Sequence, residues 1–328
     1  MTGRVGMALP STAETIARQG SRFPSEQSMV SATSDRLYVT PRAKSVARTT
    51  FIALVGGLNV WLVLTTIPGL LHPGPYSDFV WLSEAAQRIS AGQDPYSGVF
   101  RWSPLAAWLL VPLQFIGLTA WRLLHFAILP LLPWRVAVLV AVSYPFWFDV
   151  ELGNLNVLAL VLAWWALRGK PLGFIVLALL IPRPLYVPVL AYVLWKQPAW
   201  RGRFLVLGAA SLLGAFLTGW GPSWLAALGR SDFDVTNDYN LGPSHLLGLW
   251  WVPIGLTLAA FLTWKGKVGL AALAASPYLL PYYYLMGFLE LRHLPKKQDF
   301  ERRDRVRVVL DVPAVRDGLD EALDIIAT

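Results

Sequence analysis

The chain has 328 residues, of which 55% are hydrophobic and only 15% are charged. Soluble domains carry about a quarter charged residues, so this composition excludes an ordinary soluble protein, and the absence of cysteine excludes disulfides and thiolate metal sites. The net charge of +8 does not indicate a nucleic-acid partner, because most Lys and Arg residues flank apolar runs, where they set membrane orientation.

The N-terminal segment, residues 1–49, is rich in Ser, Thr, Ala and Arg and has no apolar period, which predicts a disordered tail. It also lacks the apolar region of a signal peptide. Arg42, Lys44 and Arg48 precede the first long apolar run. The positive-inside rule therefore predicts a cytoplasmic N-terminus and places residues 72–103 outside.

Three apolar runs approach the ~20 residues that a membrane span needs: 51–71, 204–219 and 247–264. They do not alternate apolar and polar residues, so the predicted spans are helices rather than barrel strands. The apolar interval 123–134 is too short to span and is interpreted as a re-entrant or interfacial piece.

The remaining basic clusters can all be cytoplasmic only if two intervals are hairpins. We expect one hairpin over 172–195, broken at "IPRPL", and another over 268–291, broken at Pro277 and Pro281. Most non-basic polar clusters then face the outer side, which predicts an outward-facing site. The basic clusters are Arg122 with Arg135, Arg168 with Lys170, Lys196 with Arg201 and Arg203, Lys265 with Lys267, and the tail from Arg292.

We divide the chain into the tail 1–49, a membrane domain 50–292 and a charged cytoplasmic appendage 293–328. The appendage contains a β-like run at 306–312 and an amphipathic helical end. We expect both termini on the cytoplasmic side of a multi-pass plasma (inner) membrane protein.

A polar segment follows the first apolar run and has the pattern of a short amphipathic helix. Glu84 and Arg88 are spaced as an i,i+4 ion pair. Gly92 is predicted to cap the helix C-terminus, and Asp94, before a proline, to shape the next turn. Asp78 lies just before the helix, and two roles stay open for it: an N-cap or a catalytic group.

The order of these motifs resembles glycosyltransferase family 87, the polyprenol-phosphate-mannose-dependent mannosyltransferases of the glycosyltransferase C superfamily. The resemblance covers roughly residues 51–291. Its motifs are Asp78, then Gly92-Gln93-Asp94-Pro95-Tyr96, then Trp102-Ser103-Pro104-Leu105, and last Gly153-Asn154-Leu155-Asn156.

This resemblance implies an all-α polytopic fold, a glycosyltransferase-C-like bundle of roughly 8–11 transmembrane or re-entrant helices with an outer-face cavity. It implies transfer of a sugar, mannose in this family, from a polyprenyl-phosphate donor in the lipid bilayer to a glycan or glycolipid hydroxyl, with inversion. Asp78 would be the general base. Arg183 and Arg101 would bind the donor phosphate; the alternative for Arg183 is snorkelling to outer headgroups.

Eight further residues are candidates for substrate contact. The acids and asparagines around Gly153 have a second reading, in which they shape and cap the loop. Asn154 stands where the family usually has Gln, and the tyrosines at 282–284 stand where several members have His. The eight candidates are Glu84, Asp149, Glu151, Asn154, Asn156, His245, Tyr282 and Tyr283.

No cofactor is required by the sequence, and a divalent cation is left open as one. The main alternative function is a polytopic transporter, or a flippase of a lipid-linked substrate without transferase activity, since such proteins also contain broken helices and intramembrane charges.

Overall fold

The structure is a computed structural model, and every regular element that it describes is helical. The all-α prediction is therefore confirmed for this part of the chain. The described residues are 41–71, 77–98, 100–180, 183–229 and 240–293.

The α-helices are short apart from the membrane-crossing candidates, and several are joined through single 3₁₀ turns. The first seven are α1 (Pro41–Leu71), α2 (Asp78–Ser90), α3 (Pro104–Leu110), α4 (Leu118–Ile128), α5 (Trp134–Ala141), α6 (Tyr144–Leu152) and α7 (Asn156–Leu167). The next seven are α8 (Pro171–Leu179), α9 (Val187–Lys196), α10 (Trp200–Leu217), α11 (Gly221–Gly229), α12 (Ser244–Leu247), α13 (Trp251–Trp264) and α14 (Val268–Ala275), followed by the 3₁₀ stretch Pro281–His293.

Helix α1 begins at Pro41, inside the segment predicted as a disordered tail. The tail prediction is therefore wrong for its last residues. Its remaining part, and the predicted appendage from residue 294 onward with its β-like run, lie outside the described residues. The chain divides into two units, 1–55 and 56–328, and the contacts reported below lie within the second.

Within the described residues, three segments are long and apolar enough to cross a membrane: Arg48–Leu71, Trp200–Leu217 and Ser244–Trp264. They coincide with the three predicted apolar runs. Large apolar side chains such as Trp61 and Phe216 are exposed along them, as expected for surfaces that face lipid rather than water. The described chain thus has the character of a helical membrane protein.

A fourth apolar segment is bent. Pro104–Phe115 and Leu118–Leu131 meet at an angle of 115°, which is the geometry of a broken span or a re-entrant loop. The bend follows the 3₁₀ turn Val111–Phe115, where a proline removes a backbone donor. Helix α4 forms the second arm and reaches the candidate site.

Both predicted hairpins are present. A Cβ built on Gly169, before α8, would lie 3.5 Å from the Gln197 amide after α9, so the chain returns to where it started. In the second hairpin the Gly269 N–H at the start of α14 donates to Glu290 near the end of the 3₁₀ stretch, at 2.8 Å. The chain reversal predicted for both intervals is therefore confirmed.

The two hairpins bring their basic ends together. Tyr192 of α9 lies against Gly266, and Arg292 donates to the Gly266 carbonyl. Lys196 and Lys265 sit over the rings of Trp195 and Trp264, at 4.2 Å and 4.1 Å from the ring centroids. Such cation–aromatic pairs suit an interface between lipid and water.

Helix α7 lies in the core. It is apolar almost all round and buried on most sides, which is the pattern of a central helix. Gly173 of α8 allows close packing, because a Cβ there would come within 2.6 Å of the Leu162 carbonyl oxygen. Asn156, the first residue of α7, is thereby held deep inside the protein.

Candidate functional site

Asp78 is the first residue of α2 and its side chain is engaged in a tertiary contact. Ser77 occupies the N-cap position and its side chain makes no capping bond. The Asn154 amide donates a hydrogen bond to Asp78 Oδ2. Of the two roles left open by the sequence, the N-cap is wrong, and the carboxylate faces the α6–α7 turn.

The environment of Asp78 favours the protonated form of the carboxyl group more than bulk water does. Burial raises the pKa of Asp78 to about 6, even though Arg183 and hydrogen bonds from Asn154 and Tyr282 favour the ionised form. Asp78 lies outside the candidate spans. A carboxylate with this pKa is largely ionised at neutral pH yet basic enough to accept a proton.

The α6–α7 turn is shaped to present Asn154. Gly153 has φ 67°, a conformation that favours glycine, and the Asn154 N–H donates to the Asp149 carbonyl at 3.1 Å, closing helix α6. A Cβ on Gly153 would lie 2.8 Å from the Phe79 Cβ. Glycine therefore lets the turn approach α2 closely enough for Asn154 to reach Asp78.

Asp149 also holds this turn in place, through bonds to the start of α7. It is fully buried and accepts hydrogen bonds from Asn156 Nδ2 at 2.9 Å and from the Val157 N–H at 3.0 Å. The carboxylate thus satisfies the first turn of α7, a task that the sequence analysis assigns to the asparagines. The loop-shaping interpretation holds for Asp149, and the capping prediction for Asn154 and Asn156 is corrected.

Arg183 lies between two aromatic rings just before α9. Its guanidinium carbon is 5.1 Å from the Trp102 ring centroid and 5.8 Å from that of Tyr283, and Nη1 donates to the Tyr283 hydroxyl at 3.4 Å. It also interacts electrostatically with Tyr186 and Asp78. Arg183 therefore points into the protein, and the snorkelling alternative is wrong.

Tyrosine side chains complete the group of residues around Asp78 and Arg183. Tyr282 and Tyr283 are buried and in edge contact, with ring centroids 4.9 Å apart, and Tyr282 stacks on Phe148 at 5.8 Å. Tyr186, which the sequence analysis did not select, donates to Asn156 Oδ1 at 3.3 Å. The hydroxyls of these residues link the asparagine turn to the arginine.

Three predicted substrate residues lie elsewhere. Glu84 is exposed on α2 and His245 is exposed on α12. Glu151 packs against the last turn of α1, since a Cβ on Gly69 would clash with its carboxylate. Arg101 is half-buried, and its carbonyl accepts a bond from the Trp224 indole of α11 at 3.2 Å.

The local predictions around α2 had mixed outcomes. No ion pair joins Glu84 and Arg88 within the described residues, because Arg88 donates to the Ser97 hydroxyl instead, so that prediction is wrong. Gly92 does end the helix, with φ 69°, and Asp94 accepts the Tyr96 N–H at 2.8 Å. Both of these predictions are confirmed.

Helix α4 supplies contacts that sequence reasoning missed. Three of its side chains bind backbone carbonyls at the end of α6 and in the α6–α7 turn. Trp121 Nε1 donates to Gly153 at 2.9 Å, and His125 Nε2 lies 2.8 Å from the Asn154 carbonyl. Arg122 donates to the carbonyls of Val150 and Glu151 at 3.1 Å and 2.5 Å. One helix face therefore fixes the turn that carries Asn154.

Arg122 joins two helix ends. Besides the α6 carbonyls, it donates to Leu70 at 2.8 Å and to Gly69 at 3.3 Å, at the C-terminus of α1. A guanidinium there satisfies free carbonyls and complements two helix dipoles. Arg122 is predicted to be cytoplasmic, whereas this end of α1 is predicted to be outside, so the contact between them means that the two predictions cannot both hold.

Metal binding is not indicated by a ligand cluster. Within the described ranges, no group of three or more His, Asp and Glu side chains has a geometry that could hold a metal ion. The divalent cation that the sequence left open as a cofactor stays an open prediction.

Comparison with known proteins adds no relative: no family model, no curated protein and no solved structure matches the chain. The candidate site is therefore defined by its own residues: Asp78, Asn154, Arg183, Tyr282 and Tyr283.

Proposed function

We propose that this protein is a membrane glycosyltransferase that moves a sugar, mannose in the first instance, from a polyprenyl-phosphate donor to a hydroxyl of an outer-face glycan or glycolipid. The observation that carries the proposal is the carboxylate of Asp78, which accepts a hydrogen bond from Asn154 and lies within electrostatic range of Arg183. The motif order that resembles family 87 glycosyltransferases supports the same conclusion, and the proposal includes the glycosyltransferase C fold of that family.

Asp78 would act as the general base. The acceptor oxygen forms a bond to C1 of the sugar while the bond from C1 to the phosphate oxygen breaks, and the acceptor proton passes to Asp78. Polyprenyl phosphate leaves with the electron pair. A single displacement of this kind inverts C1, and a positioned base typically contributes ~10²–10⁴-fold to such a step.

Arg183 would hold the departing phosphate. The planar guanidinium is fixed between Trp102 and Tyr283, and a fixed cation stabilises charge that develops in the transition state. The tyrosine hydroxyls and rings around it suit the hydroxyls and apolar faces of a sugar.

Helix ends and turns supply the residues of the cluster: Asp78 begins α2, Asn154 lies in a turn and Arg183 precedes a 3₁₀ turn. Transporter sites on interrupted spanning helices share this arrangement. The preference for a transferase therefore rests on the motif order and on the carboxylate of Asp78 beside Arg183.

The pH dependence of transfer tests the role of Asp78. A base works only when it is ionised, so kcat/KM should be constant above the pKa of about 6 and fall about tenfold per pH unit below it. Initial rates between acidic and neutral pH give the profile. A rate that does not fall on acidification would contradict a carboxylate base with this pKa.

The transporter alternative makes a different prediction. Purified protein in proteoliposomes would move the solute or the lipid-linked sugar across the bilayer with the sugar–phosphate bond intact. Translocation without any cleavage of the donor would overturn the transferase proposal.

A further inference from the structure

His125 of α4 is buried between two carbonyl groups. Its side chain is only 2% exposed. Nδ1 lies 2.9 Å from the Trp121 carbonyl oxygen and Nε2 lies 2.8 Å from the Asn154 carbonyl oxygen. Carbonyl oxygens only accept, and a neutral imidazole has one N–H. Both bonds form together only if both ring nitrogens carry protons.

A carboxylate that can balance a charged imidazole lies close to His125. Asp149 Oδ2 lies 3.5 Å from His125 Nε2, and the Asp149 side chain is 0% exposed. Two buried opposite charges in contact offset much of each other's desolvation cost, whereas either one alone would be expensive. Asp149 of α6 is the titratable group that faces the imidazole, and Asp78 is the next one, reached through Asn154.

We infer that His125 and Asp149 form a buried ion pair that positions Asn154 against Asp78 and balances the charge beside the base. The imidazole holds the Asn154 main chain, the carboxylate holds Asn156 and Val157, and the Asn154 side chain holds Asp78. His125 is a positioning residue, since it acts on the reacting group through Asn154.

Replacing either member of the ion pair should shift the pKa of Asp78, and the two replacements should shift it in opposite directions. Asp149 raises the proton affinity of Asp78 through its charge. His125→Gln leaves that charge unbalanced, so the acid limb of the kcat/KM profile should move up by about one pH unit. Asp149→Asn removes it, so the limb should move down. The double variant should return toward the wild-type limb. A merely structural role would lower the rate without moving the limb.

The charge state can be measured without activity. In ¹⁵N-histidine NMR spectra of the detergent-solubilised full chain at about pH 7.5, an exposed histidine is mostly neutral. We expect one of the four histidines to show two protonated ring nitrogens, and its signal to vanish in His125→Gln. The matched control His293→Gln changes an exposed histidine and should leave that signal in place.

These outcomes distinguish the ion pair from the proposed function. Only the kinetic part of the inference rests on the proposed function. A His125 signal with one unprotonated ring nitrogen at that pH overturns the ion pair, whether or not the protein transfers sugar. A doubly protonated signal in a protein without transferase activity supports the pair and overturns the proposed function. If His125→Gln does not fold, Asp149→Asn assigns the signal instead. In that variant, the signal of His125 should be the only histidine signal that shifts.

Discussion

Replacing Asp78 by Asn is expected to lower kcat/KM for sugar transfer by about 10²–10⁴-fold. Asparagine has nearly the same volume, and its carbonyl oxygen can still accept the bond that Asn154 donates to Asp78. It cannot take up the acceptor proton at neutral pH. The fold should therefore survive while the chemical step slows, which is measured by initial rates with purified protein of verified thermal stability.

The matched control is Asp94→Asn, the same chemical change in a turn outside the cluster. The introduced asparagine keeps an oxygen that can accept the Tyr96 N–H, as Asp94 does, and the activity of this variant should stay within about twofold of wild type. Equal rates for the Asp78 and Asp94 variants would sink the general-base assignment.

Arg183→Gln is expected to lower kcat by about 10²–10³-fold, the usual cost of losing one donor that stabilises charge in a transition state. Glutamine is neutral and cannot hold the departing phosphate. Arg183→Lys should fall between glutamine and wild type, because lysine keeps the charge but not the planar group held between Trp102 and Tyr283. Single-turnover rates with saturating donor isolate this step.

An exposed arginine provides the comparison for Arg183. Arg203→Gln removes a cation from α10 that lies over the Trp200 ring, at the predicted cytoplasmic side, and should leave kcat unchanged. If Arg183→Gln is as active as Arg203→Gln, the phosphate-binding role is wrong.

The membrane segments and hairpins could be predicted because their signals are local. The spans at Arg48–Leu71, Trp200–Leu217 and Ser244–Trp264 are apolar runs of sufficient length. The hairpins follow from prolines between basic clusters. Gly92 and Asp94 were also predictable, since a helix end and a turn depend on neighbouring residues.

The scaffold behind the site could not be predicted, because it depends on tertiary packing. The contacts of Trp121 and His125 with the α6–α7 turn require the 115° bend before α4, and the proline in the preceding turn does not by itself set that angle. The positive-inside rule counts Arg122 as a loop cation, whereas this arginine binds helix carbonyls.

The site itself was predicted from a resemblance rather than from periodicity. The motif order selected Asp78, whereas Arg183 lies outside those motifs, far from Asp78 in sequence, and was selected as the cation that a donor phosphate would need. Glu84 and His245 were selected as polar residues on the outer side, and both are exposed. Tyr186, within a run of apolar residues, gave no signal that its hydroxyl would reach Asn156.

The most direct measurement follows labelled sugar from donor to product. Purified full-length protein in nanodiscs is supplied with polyprenyl-phosphate mannose, labelled in the sugar, and with glycolipid acceptors from a membrane extract. We predict that label moves to an acceptor, that free polyprenyl phosphate appears in equal amount, and that Asp78→Asn abolishes both. Intact donor after prolonged incubation with folded wild-type protein, or equal transfer by wild type and Asp78→Asn, would contradict the account.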